Sequence, residues 1–256
     1  MAIRGVIFDL GHTLMYLDRT WPEVFEQGVV DLAAFLEAEG LGLDGKAFAK
    51  TLLARRAEGF AQAKQTLREV TAEESMRWTF SHFGLTAPSP AVVVTAIDAF
   101  FAFEEEHWSA YPEAPAVLEA LAASGLRLGM FSNATHDLFI QKLVDRLGFR
   151  PWLQPTLSSA GTGIRKPDPA AFAPILTAWD LPPETVVMVG DTLEADILGA
   201  RRAGMQSVWL RSREDARQEG ETPDDPIPEE PFAPDLTIER LAELPNALQR
   251  LNPGKP

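Results

Sequence analysis

The chain has 256 residues, 46% of them hydrophobic, with 37 acidic against 23 basic side chains for a formal charge of −14 and no cysteine. That length allows one large domain, or a core with an insertion. The composition excludes disulfides, thiolate metal sites and cysteine nucleophiles, and it argues against nucleic-acid backbone binding, which calls for a basic stripe.

The first element is "IRGVIFD" (3–9), a short apolar run read as a buried strand stopping on Asp9. It is too short for a secretory signal, and no run approaches the ~20 residues of a membrane span. The expectation is therefore a soluble, cytoplasmic protein. Residues 17–109 follow with no convincing strand. They hold four helical segments: "WPEVFEQGVVDLAAFLEAEG", "DGKAFAKTLLARRAEGFAQAKQTL", "TAEESMRWTFSHFG" and "SPAVVVTAIDAFFAFEEEHW". From residue 110 the rhythm changes. Helical patterns at 113–125, 135–148, 168–180 and 193–204 alternate with strands at 126–133, 185–191 and 206–210, and 235–238 reads as an edge strand. Alternating βα units imply a parallel sheet covered on both faces. The acidic, proline-rich stretch 214–235 reads as a solvated loop.

Three strands end in polar residues: Asp9, Ser132-Asn133 and Asp191. In a parallel sheet the carboxyl ends point one way, and open α/β sheets bind ligands outside them. Those residues should converge, with Asp196 about one turn into the next helix. Three carboxylates in one crevice repel one another, by about 4 kcal/mol for a pair 4 Å apart at an effective dielectric near 20. A cation relieves that repulsion, and magnesium suits an oxygen-only donor set shared with a phosphate. "GIRKPDPAAF" (163–172) adds Lys166 in a loop before a helix, an ammonium placed to hold a phosphate.

Taken in order, "VIFDLGHTL", "FSN", "RKPDP" and "VGDTLEADILGARRAG" resemble the four motifs of the haloacid dehalogenase-like hydrolases. The resemblance covers roughly residues 1–16 and 110–210. It implies an α/β, Rossmann-like three-layer core with a central parallel sheet, formed by 1–16 and 110–256, and an inserted all-helical cap over 17–109. It implies a phosphohydrolase acting on a small phosphorylated metabolite, with Asp9 as the nucleophile that becomes an aspartyl-phosphate. Mg²⁺ would bind Asp9, the Gly11 backbone carbonyl, Asp191 and Asp196, the last directly or through water. Ser132, Asn133 and Lys166 would hold the phosphoryl group. No nucleic-acid or membrane partner is expected, and the chain is a monomer or a homodimer.

One position departs from the family pattern. Phosphatases of this kind usually carry an aspartate two residues after the nucleophile, where this sequence has Gly11 followed by His12. The backbone carbonyl survives, but the carboxyl that protonates the leaving group does not. His12 is a candidate replacement, since a histidine titrates near pH 6.5; its alternative is capping the turn or packing under the cap. Thr13 reads as a turn residue. Two other readings remain open: a catalytically weak member that binds a phosphoryl ligand or a partner, and a metal-independent dehalogenase. Arg55, Arg56, Lys64 and Arg68 fall on one inserted helix. Each is expected on its solvated face, with contact to an anionic substrate as the alternative. The aromatic run "AFFAF" (99–103) is expected in the core of the insertion.

Overall fold

The computed structural model describes residues 2–211 and 231–251. Its strands are β1 (Gly5–Phe8), β2 (Met15–Leu17), β3 (Trp108–Ala110), β4 (Arg127–Ser132), β5 (Thr156–Ser158), β6 (Val186–Gly190), β7 (Gln206–Leu210) and β8 (Leu236–Ile238). The helices are α1 (Trp21–Ala38), α2 (Gly45–Thr66), α3 (Ala72–His82), α4 (Pro90–His107), α5 (Ala114–Ala123), α6 (Asp137–Arg146), α7 (Ser159–Thr162), α8 (Ala173–Trp179), α9 (Leu198–Arg202) and α10 (Leu244–Leu251). Among the described residues, no helix is long and apolar enough to cross a membrane. Residues 214–230 of the expected solvated loop lie outside the described residues.

Six strands form one parallel sheet in the order β5-β4-β1-β6-β7-β8. All four residues of β1 are buried, as a central strand covered on both faces requires. Val6 and Phe8 face a cluster that includes residues of α5, α6 and α10, while Ile7 faces one built on α8 and α9. That alternation is the period-2 geometry of a strand, and it makes three layers.

Three short strands go beyond the sequence reading. β5 forms one edge of the sheet, opposite the expected edge strand β8. β2 and β3 form a separate antiparallel ribbon, pairing Met15 with Ala110, Tyr16 with Ser109 and Leu17 with Trp108. At three residues each they are too short to show a period. The expected boundaries at 16/17 and 109/110 fall inside this ribbon, so the inserted helices leave and rejoin the core through one hydrogen-bonded stalk.

The four inserted helices sit within a few residues of where the sequence placed them, and their starts explain why. Asp44 caps α2 by accepting from the Ala47 N–H at 3.0 Å. Thr71 and Glu74 form a reciprocal capping box at the start of α3. Ser89 caps α4, with Pro90 at its first position. Phe48 packs on Phe80 and Phe83 at ring distances of 4.8 and 5.3 Å. Phe100 and Phe101 of the aromatic run are buried, as expected.

Trp179 of α8 lies across two neighbouring strands where both carry glycine. A Cβ at Gly5 or at Gly129 would come within 2.8 Å of its ring. Gly129→Val is therefore expected to destabilise the protein by about 1–3 kcal/mol, the usual penalty of overpacking a filled core, read as a lower urea midpoint with an unchanged m-value.

Candidate active site

The chain leaves β1 directly into the site. Asp9 is still tied to the sheet by its N–H, which donates to the Val189 carbonyl at 2.9 Å. The next residues turn tightly: the His12 N–H donates to the Met15 carbonyl at 2.6 Å, and Leu14 N–H to the Leu10 carbonyl at 2.9 Å. His12 takes a left-handed φ of 56°. From β6 the chain passes Gly190 to Asp191 and enters a π-helical turn, Leu193–Ile197, before α9. The sequence pattern predicts one regular helix there. The π turn folds Asp196 back, its N–H donating to the Thr192 carbonyl at 2.8 Å, so that its carboxylate lies over Gly190. A Cβ at Gly190 would overlap that carboxylate, which is why glycine stands at this point.

Asp9, Ser132, Asn133, Lys166, Asp191 and Asp196 line one cavity of about 1140 Å³, together with Gly11 and His12. Lys166 is 2% exposed and its Nζ donates to Asp9 Oδ1 and to Asp196 Oδ1, both at 2.6 Å. Asp196 Oδ2 accepts from the Thr192 N–H at 3.0 Å, so each Asp196 oxygen already holds one hydrogen bond. Thr13 is fully buried, with its hydroxyl 3.5 Å from Asp191 Oδ1, facing the acid cluster as well as its own turn. Asn133, expected at the phosphoryl group, is engaged by its side chain elsewhere. Its Nδ2 donates to the Lys166 carbonyl and its Oδ1 accepts from the Lys166 N–H, each at 2.9 Å. That pair of bonds ties the Asn133 strand end to the lysine loop.

Electrostatics show what the cluster lacks. Burial pushes the Asp9 carboxyl up to about 6, opposed by the Lys166 charge and assisted by Asp196. Burial also pushes Asp191 well above the usual carboxylate range, with Asp9 and Asp196 adding to it. For Lys166, burial works against the charge, but attraction and hydrogen bonds to Asp196 and Asp9 outweigh it and hold the ammonium protonated. Carboxylate oxygens of Asp9, Asp191 and Asp196 lie within 4.8 Å of one another. Three acids against one lysine leave an excess of buried negative charge, and hard oxygen donors are what Mg²⁺ takes. The residues fit a divalent cation.

A sequence model of haloacid dehalogenase-like hydrolases matches residues 3–204. The chain belongs to that family. It is 37% identical to a phosphoserine phosphatase of Thermus thermophilus over 57% of this chain, and the match spans about half of that relative, 54%. It is 31% identical to a ribulose-1,5-bisphosphate 5-phosphatase of Halopiger xanaduensis, over 83% of this chain and 86% of that protein. Among solved structures it is similar to a 2-haloacid dehalogenase from Pseudomonas syringae pv. Tomato, at a TM-score of 0.70 and 26% identity, covering 97% of this chain and 99% of the other.

In this hydrolase the place beside Gly11 is filled. A Cβ there would meet the Trp108 ring at 3.4 Å, so a side chain at this position would build against the indole. Trp108 is buried, lies edge-on to His12 at 5.5 Å, and donates through Nε1 to Glu104 Oε1 at 3.2 Å. In the sequence Trp108 reads as the tail of the fourth inserted helix, and its approach to Gly11 comes only from the tertiary structure.

The helical insertion closes the other side of the cavity, and it separates the four basic residues that the sequence grouped together. Lys64 and Arg68 are exposed and reach core carboxylates, Glu194 and Asp168, each at 3.5 Å. Arg55 reaches Glu58 at 3.5 Å and lies over Trp78. Arg56 departs from the expected solvated face: it lines the cavity, over the Phe100 and Phe101 rings. Sequence reading also missed Glu69. Its buried carboxylate joins Arg165 and Ser159 of the core.

Two outcomes follow from the charge cluster. Lys166→Met is expected to destabilise the metal-free protein by about 3–5 kcal/mol at pH 7.5, because it leaves buried carboxylates without their cation. The loss should shrink near pH 5, where the acids take up protons, and chemical denaturation at the two pH values checks it. Mg²⁺ affinity, read by calorimetry on the intact chain, should weaken as pH falls from 7.5 to 5.5. Protons compete for Asp9, whose upward shift to about 6 places its titration in that window.

Proposed function

We propose that this hydrolase is a magnesium-dependent phosphohydrolase of small phosphorylated metabolites that works through an aspartyl-phosphate on Asp9. The observation that carries the reading is the triad of Asp9, Asp191 and Asp196, the last fully buried, with Lys166 bonded between two of its members. The curated relatives named as phosphatases support it. Mg²⁺, held by Asp9, Asp191 and the Gly11 carbonyl, with Asp196 direct or through water, would supply charge neutralisation and orientation. Phosphoryl transfer asks the protein mainly for those two things.

The chain's own residues divide the rest of the work. Lys166 and Ser132 hold the non-bridging oxygens, and Asn133 keeps Lys166 in place. A carboxylate oxygen of Asp9 forms a bond to phosphorus as the bond to the leaving oxygen breaks. That oxygen takes its proton from solvent, since residue 11 has no carboxyl. Water then attacks phosphorus, the Asp9–phosphorus bond breaks, and inorganic phosphate leaves with Asp9 restored. His12 lies in the same cavity and is the side chain nearest in sequence to the missing acid/base.

Hydrolysis of p-nitrophenyl phosphate should require magnesium and vanish in Asp9→Asn; equal rates with and without the metal would sink the reading. A positioned acid contributes about 10²–10⁴ in rate. Its absence predicts that kcat/KM falls by a factor of that order from aryl to alkyl phosphates, measured over a leaving-group series. A second reading has one observation in its favour, the 26% identity to a 2-haloacid dehalogenase across 97% of the chain. In it Asp9 attacks carbon and halide departs without a metal. Halide release from a 2-haloacid in the presence of a chelator, undiminished in Asp191→Asn, would establish it instead. Tight magnesium-dependent phosphate binding with no turnover would mark a ligand-binding member.

A further inference from the structure

Arg56 stands at the middle of α2, inside the cavity that holds Asp9 and Lys166. Its guanidinium lies 4.8 Å from the Phe101 ring centre and 5.1 Å from that of Phe100. Stacking on aromatic faces fixes the guanidinium and leaves its N–H edge as the part able to bind. Among the described residues it forms no hydrogen bond and no ion pair. Its two neighbouring acids are occupied. Glu104 accepts from Trp108 Nε1, and Glu69 holds Arg165 and Ser159. The other cations of the cavity wall are also engaged: Lys64 with Glu194, Arg165 with Glu69, and Lys166 with Asp9 and Asp196.

A guanidinium offers five donors and no acceptor. Half-buried on the cavity lining and without a protein partner, it is a ready site for an anion. Burial pulls its pKa downward, and the charges of Glu104 and Glu69 only partly restore it. The nearest lining from α2 and α4 is largely apolar, with Leu53, Ala57, Phe60 and Phe101, and the charged groups these helices also contribute, Lys64 and Glu104, are already engaged with Glu194 and Trp108. Lys166 lies within the acid cluster, and Arg56 is a second cation on the helical side of the same cavity.

We propose that Arg56 is the specificity-determining residue of this site, selecting substrates with a second anionic group, a carboxylate or a second phosphate, remote from the phosphoryl group under attack. The inference rests on the phosphohydrolase reading, which it narrows to one chemical class. The planar fork of arginine matches either anion in a bidentate pair, and the chain length between the two charged ends is set by the span of the cavity.

The test compares three series of matched chain length: simple alkyl phosphates, ω-phosphooxy carboxylic acids and α,ω-alkanediol bisphosphates. Wild type, Arg56→Gln and Arg56→Lys are measured with magnesium. At the best chain length, the wild-type kcat/KM for one anionic series should exceed that for the alkyl series by about tenfold or more. The favoured series tells carboxylate from phosphate. In Arg56→Gln that ratio should fall toward unity, mainly through KM. Arg56→Lys should fall between, because it keeps the charge and loses the fork. A ratio near unity at every length in the wild type would overturn the proposal, and so would a preference that survives in Arg56→Gln. If no series is hydrolysed, the phosphohydrolase reading fails on its own. Calorimetric affinities for the same compounds then replace kcat/KM: the same ratios are expected, and a ratio near unity in wild type, or one that survives in Arg56→Gln, again overturns the proposal.

Discussion

The Lys166 ammonium, buried between Asp9 and Asp196, is the interaction on which the site depends. Ionised groups leave water at a large penalty, and they persist in a protein interior only when paired and hydrogen-bonded. Much of the local architecture serves that pairing. The Asn133 side chain fixes the Lys166 backbone through two bonds of 2.9 Å. The π turn brings Asp196 back over a glycine that leaves it room. The parallel sheet delivers Asp9 and Asp191 to one edge from adjacent strands. One ammonium does not balance three carboxylates, and the oxygen donors left over fit a divalent cation.

The helical insertion is tied to this centre by contacts of graded strength. The buried Glu69 carboxylate reaches Arg165, one residue from Lys166. Backbone bonds run beside it: Glu69 N–H to the Gly163 carbonyl at 3.0 Å, Arg165 N–H to the Leu67 carbonyl at 3.1 Å, and Ala72 N–H to the Thr135 carbonyl at 2.7 Å. Exposed pairs such as Lys64–Glu194 add little, because water and salt screen them. The segment joining α2 to α3 is thus a second seam between insertion and core, opposite the β2–β3 stalk. Displacing the insertion from the cavity mouth would break a buried ion pair as well as these backbone bonds.

Gly11 and Trp108 belong together. Residue 11 carries no carboxyl, and the indole lies in van der Waals contact with the place a side chain there would occupy. The result is an apolar wall facing a strongly polar floor. Under the proposed function such a cavity would separate tasks, the charge at the strand ends meeting the phosphoryl group and the wall from α2, α4 and Trp108 the remainder of the ligand. In that wall Arg56 is a charged group that forms no hydrogen bond or ion pair among the described residues, unlike Lys64 and Glu104.

The sequence by itself determined the α/β class, the order of the sheet-forming runs, the four inserted helices and the acids at strand ends. Each of these is written in local pattern: apolar runs bounded by turn residues, helical spacing behind Asp44, Thr71 and Ser89, and polar residues where strands stop. Tertiary structure decided what depends on approach between distant segments. β2, β3 and β5 are three-residue strands that exist only because a partner lies beside them. The Asn133 side chain bonds to the Lys166 backbone because the two loops meet. Arg56 looked like its neighbours Arg55 and Lys64, since a helical repeat does not say which face a later helix will cover. Only the packing of α4 against the cavity set Arg56 over Phe100 and Phe101 and left its charge pointing at the site's open space.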